Sequence, residues 1–227
     1  MATVDDKTIV QNYFNNVGFD RWRRIYGDGD VNKVQLAIRT GHQQTVDTVL
    51  SWLEADQNMA GRTICDAGCG VGSLSIPMAQ MGARVYGSDI SEKMVAEARA
   101  RALNEMDAGG NPQFCVSDLE KISGLYDTVT CLDVLIHYPD SKIPEMIQHL
   151  ASLAESRLIL SFAPWTVGYV MLKKIGDFFP GPSKATRAYL HRMYDVRVIL
   201  KMAGWQIGRT DMTKTKFYFS YLLEAYR

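Results

Sequence analysis

Ile64-Cys65-Asp66-Ala67-Gly68-Cys69-Gly70-Val71-Gly72-Ser73 closes a short apolar run, Arg62 to Ala67, and opens a helix read to about Met81. A turn between strand and helix leaves backbone N–H groups free to meet a ligand. Glycine lets the chain turn tightly and lets the ligand approach without a Cβ in the way. The order here is Asp-x-Gly-x-Gly-x-Gly, whereas a dinucleotide fingerprint places its third glycine one position later. Asp66 stands two residues before the first glycine and favours a cationic ligand group over a pyrophosphate.

Working outward, strands and helices alternate. Ala83 to Ser88 reads as a strand, Ser91 to about Met106 as a helix with Ser91 as N-cap. Gln113 to Val116 and Thr128 to Leu132 are strands, Ser141 to Leu153 a helix, Arg157 to Phe162 a strand. This alternation implies a parallel sheet with helices on both faces. Asp89, Asp118 and Asp133 fall at the ends of the second, third and fourth strands, in line with Asp66. Ligands bind along that edge of an open α/β sheet. Asp89 can accept from ribose hydroxyls while Ile90 packs on a flat base, and Asp118 can accept from an exocyclic amine.

Toward the N-terminus the pattern is helical. Val10, Tyr13, Phe14 and Val17 keep helical spacing until Gly18 breaks it; Phe19, Trp22, Ile25 and Tyr26 form a second segment ending at Gly27-Asp28-Gly29-Asp30. A longer helix carries Val34, Ala37, Ile38, Val46, Val49, Leu50 and Leu53. Toward the C-terminus, residues 164 to 186 mix Pro and Gly with large apolar side chains. A helix from about Arg187 to Ala203 follows. Gln206 to Thr213 and Lys216 to Ala225 then read as antiparallel strands, with Phe217, Phe219, Tyr221 and Leu223 on one face.

The 227 residues carry 25 Lys+Arg and 25 Asp+Glu, with 47% hydrophobic content. The balance lacks the basic surplus that general nucleic-acid binding requires. No apolar run approaches the ~20 residues of a membrane span, and the start has no signal-peptide pattern. Cys65, Cys69, Cys115 and Cys131 form no CxxC pair, and no His/Cys cluster has zinc spacing. A soluble, reduced, cytoplasmic protein is expected.

Taken together, the glycine turn and its four acids resemble the class I methyltransferases that use S-adenosylmethionine, over about residues 60 to 227. The resemblance implies a Rossmann-like seven-stranded α/β sheet, mostly parallel with one antiparallel C-terminal strand. It implies that Gly68, Cys69 and Gly70 line the methionine part, with Asp66 near the amino-acid end and Asp89 and Ile90 on the ribose and base. Met94 and Ser117 join the cofactor set, Asp118 and Leu119 contact adenine, and Leu132 and Asp133 lie near the sulfonium. No protein-bound metal is expected.

Beyond this core the chain is similar to the magnesium-protoporphyrin IX O-methyltransferases of chlorophyll biosynthesis. The residues are Tyr13-Phe14-Asn15-Asn16-Val17-Gly18-Phe19-Asp20-Arg21-Trp22, Ile25-Tyr26-Gly27-Asp28 and Arg39-Thr40-Gly41-His42, with Asp133-Val134-Leu135-Ile136-His137-Tyr138-Pro139 and Ser161-Phe162-Ala163-Pro164-Trp165-Thr166. The resemblance implies methylation of one propionate of magnesium-protoporphyrin IX. It divides the chain into a helical arm or lid, residues 1 to 58, and a methyltransferase domain, residues 59 to 227, with a substrate-side insert at about 164 to 186. It also implies contact with the large porphyrin-binding subunit of magnesium chelatase and peripheral association with photosynthetic membranes.

An ionised propionate needs no strong base, only orientation and partial desolvation, and orientation is worth effective molarities of about 10⁵ M or more. His137 and Tyr26 are the candidate active-site pair that orients it. Tyr13, Trp22, Tyr138 and Trp165 are candidates for the porphyrin pocket, as are Tyr169, Met171, Phe178 and Phe179. Arg39, in an otherwise apolar helix, is the candidate contact for a carboxylate of cofactor or substrate, and His42 is a weaker candidate than His137. Three rivals stand beside this reading. A quinone-ring O-methyltransferase would need His137 as a true base. A nicotinamide oxidoreductase conflicts with the glycine spacing, and a non-catalytic porphyrin carrier has no need of Asp89 and Asp118 together.

Overall fold

The computed structural model describes residues 6–56, 59–106, 112–166 and 188–227. Seven strands form one sheet: β1 Thr63–Ala67, β2 Arg84–Asp89, β3 Gln113–Val116, β4 Tyr126–Cys131, β5 Ala154–Phe162, β6 Gln206–Lys214 and β7 Phe219–Tyr226. Their order is β3-β2-β1-β4-β5-β7-β6. β1 to β5 pair in parallel and β7 runs antiparallel to both β5 and β6. The order reverses between β1 and β4, so a crevice opens beyond their carboxyl ends.

The helices are α1 Asp6–Asn15, α2 Val17–Ile25, α3 Lys33–Ala55, α4 Ser75–Gln80, α5 Glu92–Glu105, α6 Ile143–Leu153 and α7 Met193–Met202. Alternate residues of the buried strands feed two cores, as expected for a sheet covered on both faces. Leu158, Leu160 and Leu223 pack with Met146, Leu150, Val196 and Leu200 of α6 and α7. Ile64, Ile159 and Leu222 pack with Val46, Val49 and Leu53 of α3 and Met78 of α4. α3 is therefore a layer of the sheet domain. Its start is fixed by Asn32, whose side chain accepts from the Val34 and Gln35 amides while Gln35 reaches back to the Asn32 N–H; this capping box is worth about 1 kcal/mol. Ser91 caps α5 by accepting from the Met94 amide.

Two local expectations are corrected. Gly18 does not end the first helix; the break falls at Asn16, and Gly18 sits inside α2. Its missing side chain serves packing, since a Cβ there would stand 2.5 Å from the Tyr13 ring. The last helix begins at Met193, after residues 188–192, where Pro164 and His191 form an isolated bridge. Tyr169, Met171, Phe178, Phe179 and most of the insert expected at 164 to 186 lie outside the described residues. Among the described residues no helix is long and apolar enough to cross a membrane.

Candidate active site

The glycine loop keeps its backbone in the left-handed region at Gly68 (φ 86°), Gly70 (φ 53°) and Gly72 (φ 83°). A Cβ on Gly68 would meet the Val134 side chain at 2.1 Å, whereas one on Gly70 would meet no atom within 4 Å. The empty side of Gly70 faces a cavity of about 420 Å³. Asp89, at the end of β2, ties the loop down: its carboxylate accepts from the Gly70 amide at 3.0 Å and from the Ser91 amide at 2.8 Å. Burial pushes its pKa up to about 6, with the Ser91 and Gly70 amides opposing and the nearby Asp66 charge adding to the rise.

Asp66 accepts from the Ser75 hydroxyl of α4 and, at 2.9 Å, from that of Thr130 on β4. Burial raises its pKa, and those two hydrogen bonds pull the other way. Asp133 stands just past β4 with φ 58°, a conformation that costs a non-glycine residue energy and marks a functional position. Four donors hold it: Ser161 at 3.0 Å and Ser220 at 3.3 Å on Oδ1, His42 Nδ1 at 3.0 Å and Tyr218 at 2.7 Å on Oδ2. Burial would raise its pKa, but the His42 contact and the Tyr218 and Ser161 hydrogen bonds prevail and hold it below the ordinary carboxylate value.

Above this floor α1 and α2 supply aromatic groups in sequence. Tyr13 stands edge-on to Phe14, Phe14 meets Trp22 and the His137 ring at 5.6 Å, Trp22 stacks on Tyr26, and Tyr26 lies 4.6 Å from His42. Phe14, Tyr26, His42, His137 and Tyr138 line the cavity. His137 belongs to a one-turn 3-10 helix, Leu135–His137, and its buried Nδ1 has no hydrogen-bond partner among the described residues. Burial pushes its pKa down to about 4, against a smaller opposite pull from Asp133. Burial, then the Asp133 and Asp89 charges, raise the Tyr26 pKa far above the usual phenol value. At neutral pH the cavity is therefore lined by a neutral His137 imidazole and a protonated Tyr26 phenol.

Two family descriptions match: a methyltransferase domain over residues 64–156 and the C-terminus of magnesium-protoporphyrin IX methyltransferase over residues 131–227. A Synechocystis protein named magnesium-protoporphyrin O-methyltransferase is 64% identical over 226 residues, covering 100% of this chain and 98% of its own. The chain belongs to the magnesium-protoporphyrin O-methyltransferase family. An Arabidopsis thaliana magnesium protoporphyrin IX methyltransferase, a chloroplastic protein, is 57% identical, over 97% of this chain and 71% of that one. A crystal structure of the Synechocystis enzyme with bound S-adenosylhomocysteine superposes with a TM-score of 0.91 at 62% identity, covering 97% of this chain and 99% of that chain.

Within this magnesium-protoporphyrin O-methyltransferase fold, Asp66, Gly68, Cys69, Gly70, Asp89, Ile90, Met94, Ser117, Leu119, Leu132 and Asp133 all line the one cavity. Asp118 does not. Its carboxylate pairs with Lys7 of α1 at 2.7 Å and accepts from the Glu120 amide, so it caps a turn and anchors the arm, and Lys7 and Glu120 line the cavity instead. Arg39 is also corrected: its guanidinium donates to the carbonyls of Ile25, Arg24 and Gly29, closing the end of α2. Tyr13 and Trp22 back the lining from behind. Trp165 is exposed, with Arg192 over its ring. Sequence reasoning did not single out Tyr218, Ser161 and Ser220, and it named His42 without its contact to Asp133. Their partner Asp133 lies 91 residues from His42 and 85 from Tyr218, beyond any local signal.

Proposed function

We propose that this protein transfers the methyl group of S-adenosylmethionine to a propionate carboxylate of magnesium-protoporphyrin IX, giving the monomethyl ester and S-adenosylhomocysteine in chlorophyll biosynthesis. The observation that carries the reading is full-length identity of 64% to a relative named for that activity. The cavity fits the donor. Gly70 leaves room against the loop, Asp89 offers a carboxylate for the ribose, and Asp66 and Asp133 suit a ligand that bears an ammonium and a sulfonium.

The chain's own groups favour a carboxylate acceptor over a hydroxyl. With a pKa near 4, His137 is a poor base for a phenol, and Asp133 has both oxygens occupied. A propionate arrives already ionised and asks for no proton transfer. Tyr26 and His137 supply neutral donors that hold it in line without a fixed cation to quench its nucleophilicity. One propionate oxygen bonds to the methyl carbon, the carbon–sulfur bond breaks, and sulfur keeps the electron pair as a thioether.

On this reading the cover expected within residues 1 to 58 is α1 and α2, with the Lys7 pair with Asp118 as its clasp and α3 packed on the sheet. The protein works in the cytoplasm, peripherally on photosynthetic membranes, and contacts the large porphyrin-binding subunit of magnesium chelatase. The apolar substrate and the exposed Tyr194 and Met202 support such a surface. The test is one assay with purified protein, S-adenosylmethionine and magnesium-protoporphyrin IX. A monomethyl ester with an equal amount of S-adenosylhomocysteine is expected. Donor binding without ester would redirect the substrate toward quinone-type hydroxyls.

A further inference from the structure

Tyr26 closes α2, and the end of a helix leaves carbonyls without intrahelical partners. Two arginines from different elements divide them here. Arg39 of α3 takes the carbonyls of Arg24 and Ile25 and reaches Gly29 beyond the turn. Arg101 of α5 takes the next one: its Nη1 donates to the Tyr26 carbonyl at 2.9 Å, across 75 positions of the chain.

The guanidinium that does this is itself held. Glu97, one turn earlier on α5, accepts from Arg101 Nε at 3.1 Å, and the two side chains are only 19% and 21% exposed. A planar fork fixed at Nε aims its outer nitrogens in one direction, which a flexible ammonium cannot do. Gly27 leaves it room, since a Cβ there would stand 3.7 Å from Nη2 and 3.0 Å from the Arg23 carbonyl.

The other contacts of Tyr26 fix it only in part. Its N–H donates to the Trp22 carbonyl at 2.8 Å, and its ring lies against Trp22 and His42. Its hydroxyl has no hydrogen-bond partner among the described residues, and the residue lines the cavity. Ring contacts tolerate sliding, so the reach of the phenol is set by the backbone that carries it. Without Arg101 the end of α2 would keep Arg39, and the peptide between Tyr26 and Gly27 would lose its tie to α5.

We propose that Arg101 is a positioning residue for the methyl transfer: by fixing the Tyr26 carbonyl it sets the reach of the phenol that holds the propionate. The assignment rests on the role given to Tyr26 and adds to it a group outside the cavity lining. Misplacing an orienting group by about 1 Å can cost up to about a hundredfold in rate.

The test compares the parent, Tyr26→Phe, Arg101→Gln and the double variant. Ester formation from magnesium-protoporphyrin IX is measured at saturating substrates, with S-adenosylhomocysteine binding by calorimetry and the melting temperature alongside. Arg101→Gln is expected to lower kcat about tenfold and to leave donor affinity within about twofold. In the Tyr26→Phe background the same change should cost no more than about twofold, because no hydroxyl is left to place. Arg101→Lys keeps a charge and a donor but not the fork, and should recover part of the loss. Glu97→Gln loosens the aim of Arg101 more gently; it should show the same dependence on Tyr26 at smaller size, and it serves if Arg101→Gln does not fold. An equal loss in both backgrounds, as general loosening of the domain would give, overturns the assignment and leaves Tyr26 in its role. So does an unchanged kcat in Arg101→Gln, or a loss of donor affinity that matches the loss of kcat. An unchanged kcat in Tyr26→Phe overturns the role of Tyr26 and this assignment with it.

Discussion

His137 and Asp89 are two buried titratable groups in one cavity, and burial moves them in opposite directions. With its pKa near 4, His137 stays neutral across the working range. At saturating donor and porphyrin, kcat is therefore expected to be flat from about pH 8 down to about pH 5, with no inflection near the ordinary imidazole value. Such an inflection, lost in His137→Gln, would show that the histidine titrates during catalysis. Asp89, pushed up to about 6, takes a proton as the pH falls below that value. A protonated carboxyl offers one acceptor fewer to a ribose, so kcat/KM for S-adenosylmethionine should fall below about pH 6 while kcat holds. The glycines make a paired test. Gly68→Ala forces a Cβ onto Val134 at a positive φ and should lower the melting temperature sharply. Gly70→Ala carries the backbone cost of its positive φ, about 1–2 kcal/mol, but no clash, so it should melt well above Gly68→Ala yet lose donor affinity, because its Cβ enters the cavity. These residues were legible in the sequence because the whole device, strand end, glycine turn and helix start, lies within ten positions. His42 was not, because its meaning comes from a carboxylate on another element.

At the scale of elements, the α2–α3 corner shows how a reading can be right in residue type and wrong in partner. A lone arginine in an apolar helix pointed to a carboxylate, but Arg39 meets the open carbonyl end of α2, where a cation also favours the helix dipole. Arg39→Met is expected to cost about 2 kcal/mol of stability. It should also expose the turn after Tyr26 to protease, lowering kcat more than donor affinity, since Tyr26 rides on that corner. Intact protease resistance in the variant would show that the corner is held by other contacts. The turn bearing His137 is braced in a similar way. His191 donates to the Leu135 carbonyl through Nε2 and meets Asp140 through Nδ1, while the Tyr189 amide donates to Ile136. None of this could be read from periodicity, which reports which face of an element is buried and not which backbone ends it closes.

Across the whole molecule, strand alternation followed from local patterns, and the register of β7 between β5 and β6 bears out the antiparallel ending, while the reversal of order at β1 and β4 had no local signal. What the patterns could not show is the lock at the far end. The fully buried Glu224 of β7 pairs with Arg157 of β5 and Arg209 of β6, and both arginines reach Asp56 after α3. Burial would raise the Glu224 pKa, but the Arg209 and Arg157 contacts prevail and lower it. A lowered folded-state pKa means that this stability is fully present above about pH 4.5 and is lost as pH falls through the folded value. Glu224→Ala leaves Arg157 and Arg209 to share Asp56 as their carboxylate and is expected to cost about 3 kcal/mol, measurable by urea denaturation at pH 7. An unchanged midpoint would mean that water replaces the carboxylate freely. At the opposite edge, the saturated Asp133 has a consequence for the full catalytic cycle. With both its oxygens engaged and an acceptor that enters already ionised, the cavity neither takes up nor gives out a hydron in the methyl-transfer step. Transfer in heavy water should then run at nearly the rate seen in ordinary water, a solvent isotope effect close to unity.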